Sequence, residues 1–194
     1  MAGSFALAVF DRLIEQVDQI EAVAKQMDTT NPESAPVLRR SALVLAVAAL
    51  DTYFHEQAAV RLREAALRGT PHDARVANFL RNVSAADVSG PAGESYIRLR
   101  LGFMTLVAPN RIDATIAAWG GDVPTIWRDY CFGRGSREDR ERRQIELLYD
   151  RRNQIAHEGD WDPIQLDFRP MTQSHLDDCV TALRSFAEGI DLVL

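Results

Sequence analysis

A chain of 194 residues with 46% hydrophobic content carries enough apolar material for one domain with a proper core, which excludes a disordered tail or linker. Its formal net charge of -6 excludes a general basic field, so any contact with nucleic acid has to be local. The longest uninterrupted apolar stretch, Ala42 to Leu50, is far short of the roughly 20 residues that span a bilayer, and no basic segment precedes the short apolar run at the N-terminus. With Cys131 and Cys179 isolated from each other, the expectation is a soluble, reduced, cytoplasmic protein without membrane contact.

Ser4 is placed to cap a first helix in which Phe10, Leu13, Val17, Ile20, Ala24 and Met27 recur at spacings of three and four. It is expected to reach about Asp28, before Asn31-Pro32 breaks it. Ser34 and Pro36 mark a second start, and from Val37 the helical pattern continues to Arg68, where Gly69-Thr70-Pro71 stops it. Ala42 to Leu50 is apolar all round, the signature of a helix touched on several sides. Asp51 follows directly, with Tyr53, His55 and Glu56 in the next turn. A half-buried carboxylate there requires a cation, unless Asp51 only marks where the helix leaves the core for water. His55, beside Glu56, reads as a surface residue.

Pro71 to Asn82 predicts a shorter helix built on Val76, Phe79 and Leu80, and Ser84 to Gly93, with Gly90-Pro91, is the most loop-like part of the chain. The apolar residues from Tyr96 to Trp119 predict two short helices split near Pro109-Asn110. Gly120 to Pro124 reads as a turn, followed by a small patch of Ile126, Trp127 and Tyr130. Trp119 and Trp127 are expected to fill core rather than to stack on a base. Phe132 to Ser136 reads as a flexible loop, and its G-x-G follows no strand, so it is no dinucleotide fingerprint.

Ser136 with Asp139 makes a capping-box-like start for a helix expected to extend to about His157. Ile145, Leu148 and Ile155 share one of its faces, and Arg152 occupies the place in that stripe where a leucine is expected. A guanidinium there cannot lose its charge and has to find an anion. Asp51 is the candidate carboxylate within the fold, and a phosphate brought by a ligand is the other solution. Asn153 and His157 are four apart and share a face, just ahead of Gly159, which suits a C-terminal cap. Arg152 and His157 are five apart, about 140° round the helix. They meet at one ligand only through the reach of the arginine or through a second copy of the helix. All basic residues but Lys25 are arginine, and seven fall between Arg134 and Arg152, nearly balanced there by five acidic residues. Trp161 to Pro170 is an irregular connector, and Leu176, Cys179, Val180, Leu183, Phe186, Ile190 and Val193 mark a last helix. No segment alternates as a strand does. The histidines are scattered and the cysteines lack ligand spacing, so neither a metal nor a cofactor is expected.

In Ala42 to Tyr53 followed by Arg152 to Gly159 the chain resembles the HEPN superfamily, and within it the RiboL-PSP-HEPN branch. The ribonuclease members of that superfamily carry an arginine, an adjacent polar residue and a histidine in an R-x4-6-H pattern, which Arg152, Asn153 and His157 match. The resemblance implies an all-α, HEPN-like bundle of about four to five main helices, with short helices in a central insertion, as a single domain over 1–194. It implies a homodimer in which each protomer brings the arginine and histidine to one cleft, with Arg152, His157 and Asn153 catalytic and Asp51 and Tyr149 supporting. The activity implied is metal-independent endonuclease cleavage of RNA, leaving a 2',3'-cyclic phosphate and a 5'-hydroxyl. By analogy, a bacterial toxin or antiviral defence role follows, with an antitoxin or defence-system protein as partner. HEPN members that pair with minimal nucleotidyltransferases carry a tyrosine two residues after the histidine; Gly159 stands there instead, which counts against that mode of regulation.

The residue types suit that chemistry. RNA supplies its own nucleophile, the 2'-hydroxyl, so an enzyme needs only a group to move protons and a cation to stabilise charge at phosphorus. No H-E-x-x-H and no G-x-S-x-G occurs, which disfavours a zinc or serine hydrolase. Two other readings stand beside it. In one, a HEPN-like module holds a nucleotide or RNA in the same groove without cutting. In the other, Arg152 pairs with Asp51, His157 is a solvated helix end, and the bundle docks a partner protein.

Overall fold

A computed structural model describes residues 3–194. Its elements, in chain order, are α1 (Phe5–Thr30), α2 (Ala35–Leu67), α3 (His72–Leu80), α4 (Ala85–Ser89), α5 (Gly93–Leu101), α6 (Pro109–Trp119), α7 (Val123–Arg134), α8 (Glu138–Glu158), a hairpin of β1 (Trp161–Asp162) and β2 (Asp167–Phe168), and α9 (Gln173–Asp191). The chain is all-α, and no helix among the described residues is long and apolar enough to cross a membrane.

Ser4 caps α1 through its Oγ, which accepts the N–H of Leu7 at 3.1 Å, so the predicted start is correct to the residue. The second helix is the axis of the bundle. Ala42, Leu43, Ala46, Val47, Ala49 and Leu50 are all buried, and α2 packs against α1, α3, α4, α5, α6, α8 and α9. Those neighbours account for the apolar residues on most of its perimeter; one face stays open, where Val37, Ser41 and Leu45 are exposed. Just past its middle, Tyr53 and Gln57 meet residues from near both chain ends. Gln57 Nε2 and the Tyr53 hydroxyl donate to Asp191 Oδ1 at 2.8 and 3.1 Å, and the Ser4 amide donates to Asp191 Oδ2 at 2.9 Å.

The central segment is more helical than its glycine and proline content suggests. Ala85–Ser89 forms a short helix because Ser84 and Asp87 make a reciprocal capping box, with Ser84 Oγ accepting the Asp87 amide at 3.1 Å and Asp87 accepting the Ser84 amide at 2.8 Å. The turn expected at Gly120 to Pro124 is the entry to α7, with Asp122 as its cap and Pro124 in the first turn. The loop expected at Phe132 to Ser136 is mostly the end of that helix. Gly135 adopts φ 60°, and the Ser136 amide donates back to Cys131 O at 3.0 Å, a Schellman closure. Ser136 therefore finishes α7 and does not cap α8. Asp139 is taken by the Arg137 guanidinium, with Nε donating to Oδ1 at 3.0 Å, and α8 begins without a side-chain cap. The Trp161 to Pro170 connector contains the hairpin, in which Trp161 pairs with Phe168.

Trp119 and Trp127 are core residues, as expected. Trp127 is 0% exposed and lies against Tyr130 and Phe186, with centroids 5.8 and 5.9 Å away. Its Nε1 donates to Asp113 Oδ1 at 2.8 Å, and Arg142 both donates to Asp113 Oδ2 at 2.7 Å and sits 4.2 Å over the Trp127 ring. Tyr130 donates to the buried Glu141 at 2.7 Å. These contacts fix α8 against α6 and α7, and so set the direction in which its last turns point.

Candidate functional site

Helix α8 carries Glu138, Asp139 and Glu141 in its first turn and His157 in its last, the charge order its dipole favours at both ends. Glu141, Ile145 and Leu148 are its buried residues, Ile155 is half-buried, and Arg152 lies among them on the stripe where the residue spacing places it. Tyr149 is half-buried and packs against the core.

Arg152 and its neighbour Arg151 have different surroundings. Arg151 reaches a carboxylate of the fold: Nη2 donates to Asp160 Oδ2 at 3.0 Å and Nη1 bonds Oδ1 as well. Asp160 is 0% exposed and also binds Arg40 of α2, whose Nε lies 2.5 Å from Oδ2. Arg40 continues to Arg169 O at 2.7 Å and lies 5.2 Å from the centroid of Phe168 in β2. A single buried carboxylate thus ties the end of α8 to α2 and to the hairpin, with backbone closure from the Asp160 amide to Gln154 O at 3.1 Å and from the Arg169 amide to Asp160 O at 3.0 Å. Asp160 is hard to recognise along the chain. Its only signal is a carboxylate directly after the glycine that ends an arginine-rich helix, and its Arg40 partner lies 120 positions away.

Arg152 has no such partner. Asp51, the carboxylate expected to meet it, accepts the amides of Leu106 and Val107 at 2.6 and 3.0 Å, so it closes the α5–α6 connection instead. The reason is local: residues 102–108 cross α2 with two free N–H groups, and an ionised carboxylate satisfies both. His55 is half-buried rather than a plain surface residue, with Nε2 3.1 Å from Met104 O and 3.7 Å from Asp51. Among the described residues, the hydrogen bond of the Arg152 head is with the next residue, Nη1 donating to Asn153 Oδ1 at 2.9 Å. Its Nε is buried without any hydrogen-bond partner. Such an orphaned donor carries a free-energy cost that no other group of the described chain offsets.

His157 is exposed at the last turn of α8, ahead of Gly159 at φ 63°. It lies five positions from Arg152, about 7.5 Å along the axis and about 140° round it. Arg152 and Asn153 are thus brought together by a hydrogen bond. Tyr149 and His157 lie one turn either side of Asn153 on the same face of α8, and neither they nor Asp51 are joined to Arg152 or Asn153 by a hydrogen bond or ion pair. The large groove on α8, about 990 Å³ between α8 and α9, is lined by Arg143, Leu147, Arg151, Gln154, His175 and Cys179 among others, and by none of Arg152, Asn153 and His157. Burial pushes the Cys179 thiol in that groove up to about 11. No group of three or more His, Cys, Asp or Glu side chains among the described residues is placed to hold a metal ion.

Comparison with protein-family models, with curated proteins and with solved structures finds no match.

Proposed function

We propose that the protein is a metal-independent endoribonuclease of HEPN type that works as a homodimer. The observation that carries this reading is the Arg152 guanidinium: half-buried on the core-facing stripe of α8, oriented by Asn153, and left with an unbonded donor while the adjacent Arg151 is paired with Asp160. In the reaction, the 2'-hydroxyl of the RNA attacks the adjacent phosphorus and the 5'-oxygen leaves, giving a 2',3'-cyclic phosphate and a 5'-hydroxyl. Arg152 stabilises the charge on the non-bridging oxygens, Asn153 holds that guanidinium in place, and His157 moves the proton. The partner's copy of α8 supplies the histidine that the 140° offset keeps away from the first arginine. Tyr149 lies one turn before Arg152 on the same helix, in a supporting place, while Asp51 acts at a distance by holding the α5–α6 connection. A role in toxin or antiviral defence, with a cognate partner protein, belongs to the same reading.

The test is cleavage of total RNA in EDTA by the purified protein beside His157→Ala and Arg152→Met, with solution molar mass recorded for each. Loss of roughly 10²-fold or more in rate for His157→Ala, with dimer and fold retained, is the expected result. Wild-type protein that does not cut sinks the enzymatic reading. A binding module is the second reading, favoured by the exposure of His157 and by its separation from Arg152 within one chain. It predicts RNA retention without cleavage, weakened by Arg152→Met.

A further inference from the structure

Elsewhere on the surface, a cleft of about 710 Å³ opens between α3, α5 and α6, with Tyr149 of α8 at one wall. Three arginines enter it from three elements: Arg81 just after α3, Arg100 in the last turn of α5, and Arg111 in the first turn of α6. No acidic residue lines it. The adjoining cleft is different, for there Arg142 and Arg143 are paired with Asp113 and Glu146. Three guanidinium groups facing one cavity without a carboxylate repel one another, and in a protein of net charge -6 such a cluster persists only where it has a use or costs little.

Two further observations indicate what the cleft takes. Helix α6 starts at Pro109 with Ala108 as its cap residue and no side-chain cap, so the positive end of its dipole and the Asn110 side of its first turn face the same cavity. Phe103 lines the cleft and is 75% exposed, with the Arg100 guanidinium 5.7 Å from its ring centroid. An exposed phenyl ring under a cation forms a flat platform on which a base can stack. Arg81 and Asn82 both hold positive φ, 56° and 53°, a conformation that non-glycine residues rarely adopt. It places the Arg81 side chain at the cleft as α3 ends.

We infer that this cleft is a nucleotide-binding site, in which Arg81, Arg100, Arg111 and the start of α6 hold phosphate and Phe103 carries the base. The nucleotide is either free or one unit of an RNA strand. Planar guanidinium forks give phosphate two donors each, which suits a cluster built from arginine. The cleft does not use Arg152 or His157, so binding here stands whether or not the protein cuts RNA.

The experiment measures binding of a short fluorescein-labelled oligoadenylate by anisotropy and of AMP by calorimetry. Both use a His157→Ala chain, so that no cleavage removes the probe. Arg111→Ala and Phe103→Ala are the cleft variants, Arg81→Asn a second arginine variant that tolerates the positive φ, and Arg140→Ala an arginine control outside the cleft. The expected result is a roughly ten-fold or greater loss of affinity in the cleft variants and none in the control. Binding of the oligonucleotide alone assigns the site to a strand, and binding of AMP assigns it to a free nucleotide. The inference is overturned if neither probe binds, if affinity is unchanged in the cleft variants, if Arg140→Ala loses as much, or if inorganic phosphate competes as well as AMP.

Discussion

At Arg151 and Arg152 two identical side chains stand next to each other, and only one of them has its charge answered inside the protein. Asp160 binds Arg151 and Arg40 from a fully buried position. Removing its charge leaves two partly buried guanidinium groups facing a neutral side chain. Asp160→Asn is therefore expected to lower stability by about 3 kcal/mol or more, read as a fall in the urea midpoint with an unchanged slope. Arg152 is the converse case. Its Nε is buried without a partner, so Arg152→Met removes an unsatisfied donor and keeps the apolar stem, and stability should hold within about 1 kcal/mol. A much larger loss would show that Arg152 is a structural cation after all. These opposite outcomes separate the ion pair that holds Arg151 in the fold from a neighbouring arginine the fold does not need.

Among the elements, the α5–α6 connection depends on one carboxylate. Asp51 Oδ1 accepts the N–H groups of both Leu106 and Val107, residues that are themselves buried. In Asp51→Ala those amides lose their acceptor, at a cost of roughly 1–3 kcal/mol, and the opening is local. Hydrogen exchange should quicken at Leu106 and Val107 while the core of α2 stays protected. If exchange rises uniformly instead, Asp51 supports the whole bundle and not this connection. The short helix α4 offers a smaller version of the same experiment. Ser84→Ala deletes the capping box and is expected to cost about 1 kcal/mol, seen as lost protection of Asp87 and Val88 only.

For the molecule as a whole, pH is the simplest lever. Burial raises the Cys179 thiol to about 11, raises Cys131, and raises the phenols of Tyr53 and Tyr130, whose carboxylate neighbours Asp191 and Glu141 push in the same direction. Each group is held neutral in the folded chain more firmly than in the unfolded one. Stability from them is complete below the unfolded pKa, about 9 for the thiols and about 10 for the phenols, and falls as pH rises toward the folded values. A melting temperature that declines steadily above pH 9 is the expected result, accompanied by slow alkylation of both thiols at pH 8 that becomes fast in urea. Rapid labelling of Cys179 at pH 8 in the folded protein would contradict the burial that raises it.

The sequence by itself determined the helical class, the central place of Ala42 to Leu50, the start of α1 at Ser4, and the odd position of Arg152 on a core-facing stripe. Each of these is a local matter of periodicity, capping or a charge out of register, and local rules suffice for them. It misjudged residues 84–93 and 120–136 for a physical reason: glycine and proline at helix ends resemble the same residues in loops unless the capping partners are recognised. Only the tertiary structure decided where the charges went. Asp51 turned to backbone amides, Asp160 took Arg151 with an arginine from α2, and Arg81, Arg100 and Arg111 converged on one cleft. Ion pairing and cleft formation depend on which surfaces meet when helices pack, and partners 120 positions apart leave no periodic trace along the chain.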